Sequence, residues 1–183
     1  MKSLIESIKL WWRFEGRHYH RDFIKGIKNL IRWFPVIWKD RDWDDHFIWQ
    51  VMIQKLKFQA KYIGDRDFHT RAKRDAEIMM TCVRLMERVK SEYYATEYFD
   101  YHETEHTWED SDEPGFVTLN VEEKSERFDD YFKKYPLVYK RIKQRYTNED
   151  KSRLAFYMST ENHNRARRIL FKLMERNIEA WWD

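Results

Sequence analysis

The sequence predicts an all-α fold: a single-domain helical bundle with a long central helix and a small irregular or hairpin insertion near residues 100–122. Three observations carry this. Only four glycines and three prolines punctuate 183 residues, so tight turns are few. Apolar residues recur at steps of three and four over most of the chain, the period of a helix with one buried face. That period dissolves in one acidic stretch, from Thr96 to Glu123, which contains the Pro114-Gly115 turn and a β-like run from Phe116 to Val121.

Taken in order, residues 1–14 form an amphipathic helix with Leu4, Ile5, Ile8, Trp11 and Trp12 on one face. A polar break is expected at Arg17 to Tyr19. The second helix runs from about Asp22, a cap by residue type, to Trp33 or Phe34, where Pro35 removes a backbone donor. Asp42 or Asp44 would cap a third helix carrying Phe47, Ile48, Val51, Met52, Leu56 and Ile63, with Gly64 as its stop. The longest helix is expected from Asp67 into Tyr93 and Tyr94. Ala72, Ala76, Met79, Val83 and Met86 form one apolar row, and Ile78, Cys82, Leu85 and Val89 a second. Two rows imply two packed neighbours, so this helix is read as the spine. The irregular insertion spans 97–123. Short helices follow at 124–134 and 136–146, the second opened by Pro136, and a helix or pair of helices covers 149–181.

Composition narrows the function classes. The chain is long enough for one domain with a core. Its 35 cations nearly cancel 32 anions, and a net charge of +3 argues against an extended nucleic-acid footprint. Aromatic residues make up 17%, more ring surface than one such core needs, so some rings are expected in a pocket or at a subunit interface. The indoles at 11, 12, 181 and 182 point to a homo-oligomer on this ground. Cys82, alone and in an apolar stripe, reads as a buried structural thiol, with no disulfide framework. No run reaches the length of a membrane span, and no secretory signature is read at the N-terminus, so a cytoplasmic protein without a membrane partner is expected. No cofactor is expected.

Two constellations bear on chemistry. His102-Glu103-Thr104-Glu105-His106 matches the metalloprotease pattern, in which two imidazoles one helical turn apart hold Zn²⁺ and a glutamate activates water. Its acidic surroundings, Glu97, Asp100, Glu109, Asp110 and Asp112, are unlike the apolar flanks such a helix needs. His102 and His106 are therefore weak metal candidates. The second is the run from Trp33 to Asp44, with three tryptophans, three aspartates and two cations around Pro35. Indoles beside fixed charges suit a flat charged ligand; an elbow locking two helices is the structural alternative. A polar row on the spine, His69, Lys73, Glu77, Met80 and Arg84, would make the facing wall of such a pocket or else a solvated face.

Phe23 to Leu30, the block Trp38-Lys39-Asp40-Arg41-Asp42-Trp43-Asp44, Phe47-Ile48 and His69 together resemble a widespread family of small helical proteins from tailed bacteriophages. His163, Ala166-Arg167, Leu170-Phe171 and the ending Ile178 to Asp183 extend the resemblance to about half the chain. Phage proteins of this general kind include immune-signal sponges, such as those called Sequestin, which bind host nucleotide signals without cleaving them. The resemblance implies a non-enzymatic protein of the infected bacterial cytoplasm that sequesters a nucleotide-derived small molecule, of ADP-ribose or cyclic-nucleotide type. Trp33, Trp38 and Trp43 would then stack a ring, and Arg41, Arg71 and Arg167 would neutralise a pyrophosphate. Asp42 or Glu77 would take ribose hydroxyls, with His69 and His163 as hydrogen-bond donors. The rival readings are a protein–protein interaction module using an exposed aromatic patch and, third, a metal-dependent hydrolase using His102 and His106.

Overall fold

The computed structural model describes residues 2–39, 45–67, 69–111, 113 and 115–181. The chain divides into two compact units, Met1–Val51 and Met52–Asp183. Helix dominates both. The described residues also hold a two-stranded antiparallel sheet.

The first unit is helical almost throughout. Helix α1 (Lys2–Trp11) passes through a π-helical turn (Trp12–Gly16) into α2 (Arg17–Ile37). The break expected at Arg17 to Tyr19 is absent, because the wider turn absorbs one residue and the chain remains helical across it. Gly16 is the one buried residue described in this unit. A Cβ there would lie 2.6 Å from the Trp12 ring and 3.1 Å from that of Trp11, so the indoles rest on bare backbone. Asp22 is no cap: it lies inside α2, with Lys25 at 3.8 Å and Arg21 at 4.0 Å. Pro35 does not end the helix either. It falls in the last turn, where few backbone bonds remain to be lost, and the Trp38 amide still donates to the Phe34 carbonyl at 2.9 Å. The expected caps Asp42 and Asp44 lie outside the described residues. Helix α3 (His46–Arg66) opens on the Asp45 carbonyl, which accepts from the amides of Ile48 and Trp49 at 3.1 and 3.4 Å.

In the second unit, α3 runs past Gly64 to Arg66, and its end is set by Asp67, whose positive φ of 47° turns the chain. Gly64 has another role. A Cβ there would meet the Ala76 Cβ at 3.3 Å, so glycine lets α3 and α4 (Ala72–Lys90) approach closely. With the Lys57–Glu87 pair at 2.6 Å, this contact shows the two helices running antiparallel. Ile53, Leu56, Ala60 and Ile63 of α3 are buried, as are Ala72, Met79, Cys82, Val83, Met86 and Val89 of α4.

Helix α4 is shorter than expected. At Ser91-Glu92 the backbone turns, with Glu92 at φ 53°, and Tyr93 and Tyr94 belong to a separate short helix, α5 (Tyr93–Thr96). The longest helix is instead α8 (Lys151–Asn177), capped by the Asp150 carboxylate, which accepts from the Arg153 amide at 2.8 Å. It packs along α4, α5 and α7. Trp181, expected to be surplus to the core, is buried in it, and its carbonyl accepts from the Gln59 side chain at 3.3 Å.

A 3₁₀ turn (Glu97–Tyr101) leads into strands β1 (His102–Asp110) and β2 (Val117–Glu126). They pair from His102 opposite Glu126 to Asp110 opposite Val117, with a bulge between Glu103 and Thr104. The insertion is therefore a regular hairpin, longer than the short β-like run read at 116–121. Helix α6 (Phe128–Lys134) starts later than expected because β2 occupies the preceding residues, while α7 (Pro136–Arg145) opens on proline as read. Phe128, Tyr131, Phe132, Val138, Ile142, Leu154, Ala155 and Met158 form an aromatic core between α6, α7 and α8.

Candidate functional site

Among the described residues of the second unit, α3 and α4 share a groove. Small residues create it: Gly64, Ala60 and Ala76 bring the helices close, and longer side chains rise on either side of the seam. Lys57 and Lys61, one turn apart on α3, form one wall. Glu77, Thr81 and Arg84 of α4 form the other, over a floor of Ala60, Ala76 and Met80. The space measures about 650 Å³, within the range of roughly 300–1,000 Å³ occupied by small-molecule sites.

The walls are held in place by local bonds. The Thr81 hydroxyl donates to the Glu77 carbonyl at 2.9 Å, and the Arg84 guanidinium donates to the same hydroxyl at 2.9 Å. Lys57 donates to Glu87 at 2.6 Å. Three cations, one carboxylate and one hydroxyl around an apolar floor can take a ligand with phosphate charge at one end and hydroxyls at the other. Toward the turn joining the helices, His69 and Lys73 line a smaller concavity with Asp67 and Thr70. The row read from sequence, His69 to Arg84, therefore borders two neighbouring recesses along one face of α4.

The other expected site residues are distributed more widely. Arg71 lies 3.7 Å from Asp75, a carboxylate only 2% exposed, and its amide donates to His69 Nδ1 at 3.3 Å. Its guanidinium is thus the counter-charge of a buried acid. Asp75 Oδ1 itself has no hydrogen-bond partner, an arrangement no sequence signal announced. His163 and Arg167 sit one turn apart on α8. Burial, and then the Arg167 charge, lower the His163 pKa, against a smaller opposing pull from Glu92; its Nδ1 is buried without a partner. Arg167 shares one face of α8 with Arg168, Phe171 and Lys172, where Arg168 is engaged by Glu161 at 2.8 Å.

Trp33 and Trp38 belong to the first unit. Trp33 is half-buried on α2, whereas Trp38 is 74% exposed, its ring 5.2 Å from that of Phe34. Arg41, Asp42 and Trp43 lie outside the described residues. Among the described residues, then, the groove offers charge and hydroxyl chemistry with Met80 as its large apolar surface, and no indole lines it.

The metal reading loses its geometry. His102 and His106 lie on strand β1, where four residues span about 13 Å, against about 6 Å for a helical turn. Two imidazoles so placed do not share one Zn²⁺, whose nitrogen ligands sit at about 2 Å. Among the described residues no group of three or more His, Cys, Asp or Glu is arranged to hold a metal ion.

Sequence reasoning missed Lys57 and Lys61; their four-residue spacing around Ala60, just before Gly64, was the available signal. It also missed a buried polar network. Glu97, 3% exposed, accepts from Lys134 at 2.5 Å, from the Tyr135 hydroxyl at 2.7 Å and from Tyr93 at 3.4 Å. Burial, then the bond to Glu97, raise the Tyr135 pKa, and the same carboxylate raises that of Lys134. These bonds tie the 3₁₀ turn to α6 and the start of α7, a structural role. Comparison with family models, with characterised proteins and with solved structures finds no match to this chain.

Proposed function

We propose that this chain is a phage-type binding protein that holds a phosphate-bearing, nucleotide-derived small molecule in the α3–α4 groove and releases it unchanged, in the cytoplasm of an infected bacterium. The observation that carries the reading is the composition of the groove. Lys57, Lys61 and Arg84 supply positive charge, Glu77 accepts from ribose-type hydroxyls, and Ala60, Ala76 and Met80 offer an apolar bed for a base. Glu77 keeps the role expected for it; the phosphate partners are two lysines of α3 and an arginine of α4 in place of Arg41, Arg71 and Arg167.

The test is titration of the full chain with ADP-ribose by calorimetry, followed by chromatography of the recovered ligand. Binding with intact ligand supports the proposal, and a cleaved product makes the protein an enzyme. Lys61→Glu with Arg84→Glu should weaken binding at least about a hundredfold, since two attractive contacts become repulsive. An unchanged affinity in that double variant would move the site elsewhere.

A further inference from the structure

The α1–α2 segment is enriched in positive charge relative to the chain as a whole. Residues 2–39 hold nine Lys or Arg against three Asp or Glu, although the whole protein is only +3. On α2 the two residue classes separate cleanly. Phe23, Ile24, Ile27, Leu30, Ile31 and Phe34 follow helical steps along one face and are 42–70% exposed. Arg21, Lys25, Lys28 and Arg32 repeat at steps of four, three and four along one flank of that face, all exposed. The helix spans about 30 Å at the ordinary rise per residue. No described helix is long and apolar enough to cross a membrane.

An apolar face of this extent is not left in water without a function. Its cover has to tolerate a row of cations along the same helix. A second copy would bring an identical cationic row to the contact, and like charges flanking one seam repel. A bilayer rich in anionic lipid suits both faces: aromatic and branched side chains enter the acyl boundary, and the cations stay at the headgroups. The expectation of no membrane partner rests on the lack of a spanning run, which bears on crossing a bilayer and leaves open a helix lying on its surface.

We infer that the α1–α2 segment is a membrane-surface arm that lies in the interface of an anionic phospholipid bilayer. Trp11 and Trp12, held against the backbone of Gly16, extend the apolar side into α1, and their indoles suit the headgroup level. The inference concerns the first unit alone and is independent of the groove in the second.

The experiment is flotation of the full chain with vesicles of phosphatidylcholine, alone or mixed with phosphatidylglycerol. The chain should float with the anionic vesicles, stay behind with the neutral ones and be released by salt. Ile27→Glu, and separately Lys25→Glu with Lys28→Glu, should each lower the bound fraction about tenfold or more. An unchanged far-ultraviolet circular dichroism spectrum of the full chain confirms that α1–α2 stays helical in these variants. Equal flotation with both vesicles, or with neither, overturns the inference. So does sedimentation equilibrium showing a dimer that Ile27→Glu dissociates, which would assign the face to a second copy.

Discussion

Helices α2 and α4 carry the same periodicity and meet opposite fates. In α4, Met79, Cys82, Val83 and Met86 are essentially inaccessible; in α2, Ile27, Leu30, Ile31 and Phe34 are all substantially exposed. Periodicity alone does not separate them, because it reports only that one face differs from the other. What differs is composition. The α4 apolar row is built of compact or unbranched side chains, and its polar row mixes Lys73, Arg74, Glu77, Arg84 and Glu87. The α2 row is bulky and aromatic, and apart from Asp22 its charged positions are cations. A mixed polar row suits water beside a core helix, whereas a one-sign row beside a bulky apolar face suits an oppositely charged partner.

The comparison breaks most visibly at Glu97. Glu97→Ala leaves a half-exposed Lys134 and two tyrosine hydroxyls without their shared charged acceptor, and the lost hydrogen bonds should together cost roughly 2–5 kcal/mol. Urea unfolding followed by circular dichroism would measure it. Next comes a matched pair on the two helices. Met79→Ala opens a cavity in a fully enclosed site and should cost roughly 2–5 kcal/mol, while Ile31→Ala on α2 should stay within about 0.5 kcal/mol. Equal costs would show that the α2 face is covered in solution, contrary to the contrast drawn between the helices.

Alkaline pH sharpens the same contrast through the second unit's interior. Burial pushes the Cys82 thiol up to about 11 and the Tyr131 hydroxyl up to about 12. Tyr135 rises through burial and its bond to Glu97, and Lys134 through its own bond to that acid. All four hold their protons more tightly folded than unfolded, so each contributes stability that is complete below its unfolded pKa. The earliest of those is 9.0, for the cysteine. Stability should therefore be flat below about pH 9 on their account and fall as pH rises toward 12, through the folded values. Cys82→Ala should delay the onset, because it removes the group that titrates first.

Much of the helix content was legible, and the places where it was not have specific causes. Pro136 at the start of α7 and the helical character of 149–181, read as one helix or a pair, follow from local rules. Pro35 misled because its cost depends on how many turns follow it, which the residue itself does not announce. Gly64 misled for a related reason: its value lies in a contact with Ala76, twelve residues away, and no local rule separates a packing glycine from a terminating one. The HExxH-like motif misled because its spacing has meaning only on a helix. Of the groove, the α4 wall was readable as a polar row, but its pairing with Lys57 and Lys61 depends on the α3–α4 contact.

The smallest effects come from one substitution made in both regions. Gly26 of α2 has open space where a Cβ would go, so Gly26→Ala gains the helix propensity of alanine, about 1 kcal/mol, with nothing to oppose it. The gain should appear as helicity of the first unit and leave the unfolding of the second unchanged. Gly64→Ala receives the same propensity gain but places its methyl 3.3 Å from the Ala76 Cβ. That neighbour has no torsion by which to withdraw, so α3 and α4 must part by a few tenths of an ångström. The two terms offset, and the net change in stability should fall within about 1 kcal/mol of zero. Ligand affinity should respond more than stability does, because the groove walls move with the helices. A clear stabilisation by Gly64→Ala with unchanged ADP-ribose affinity would mean that the close approach of α3 and α4 does not shape the site.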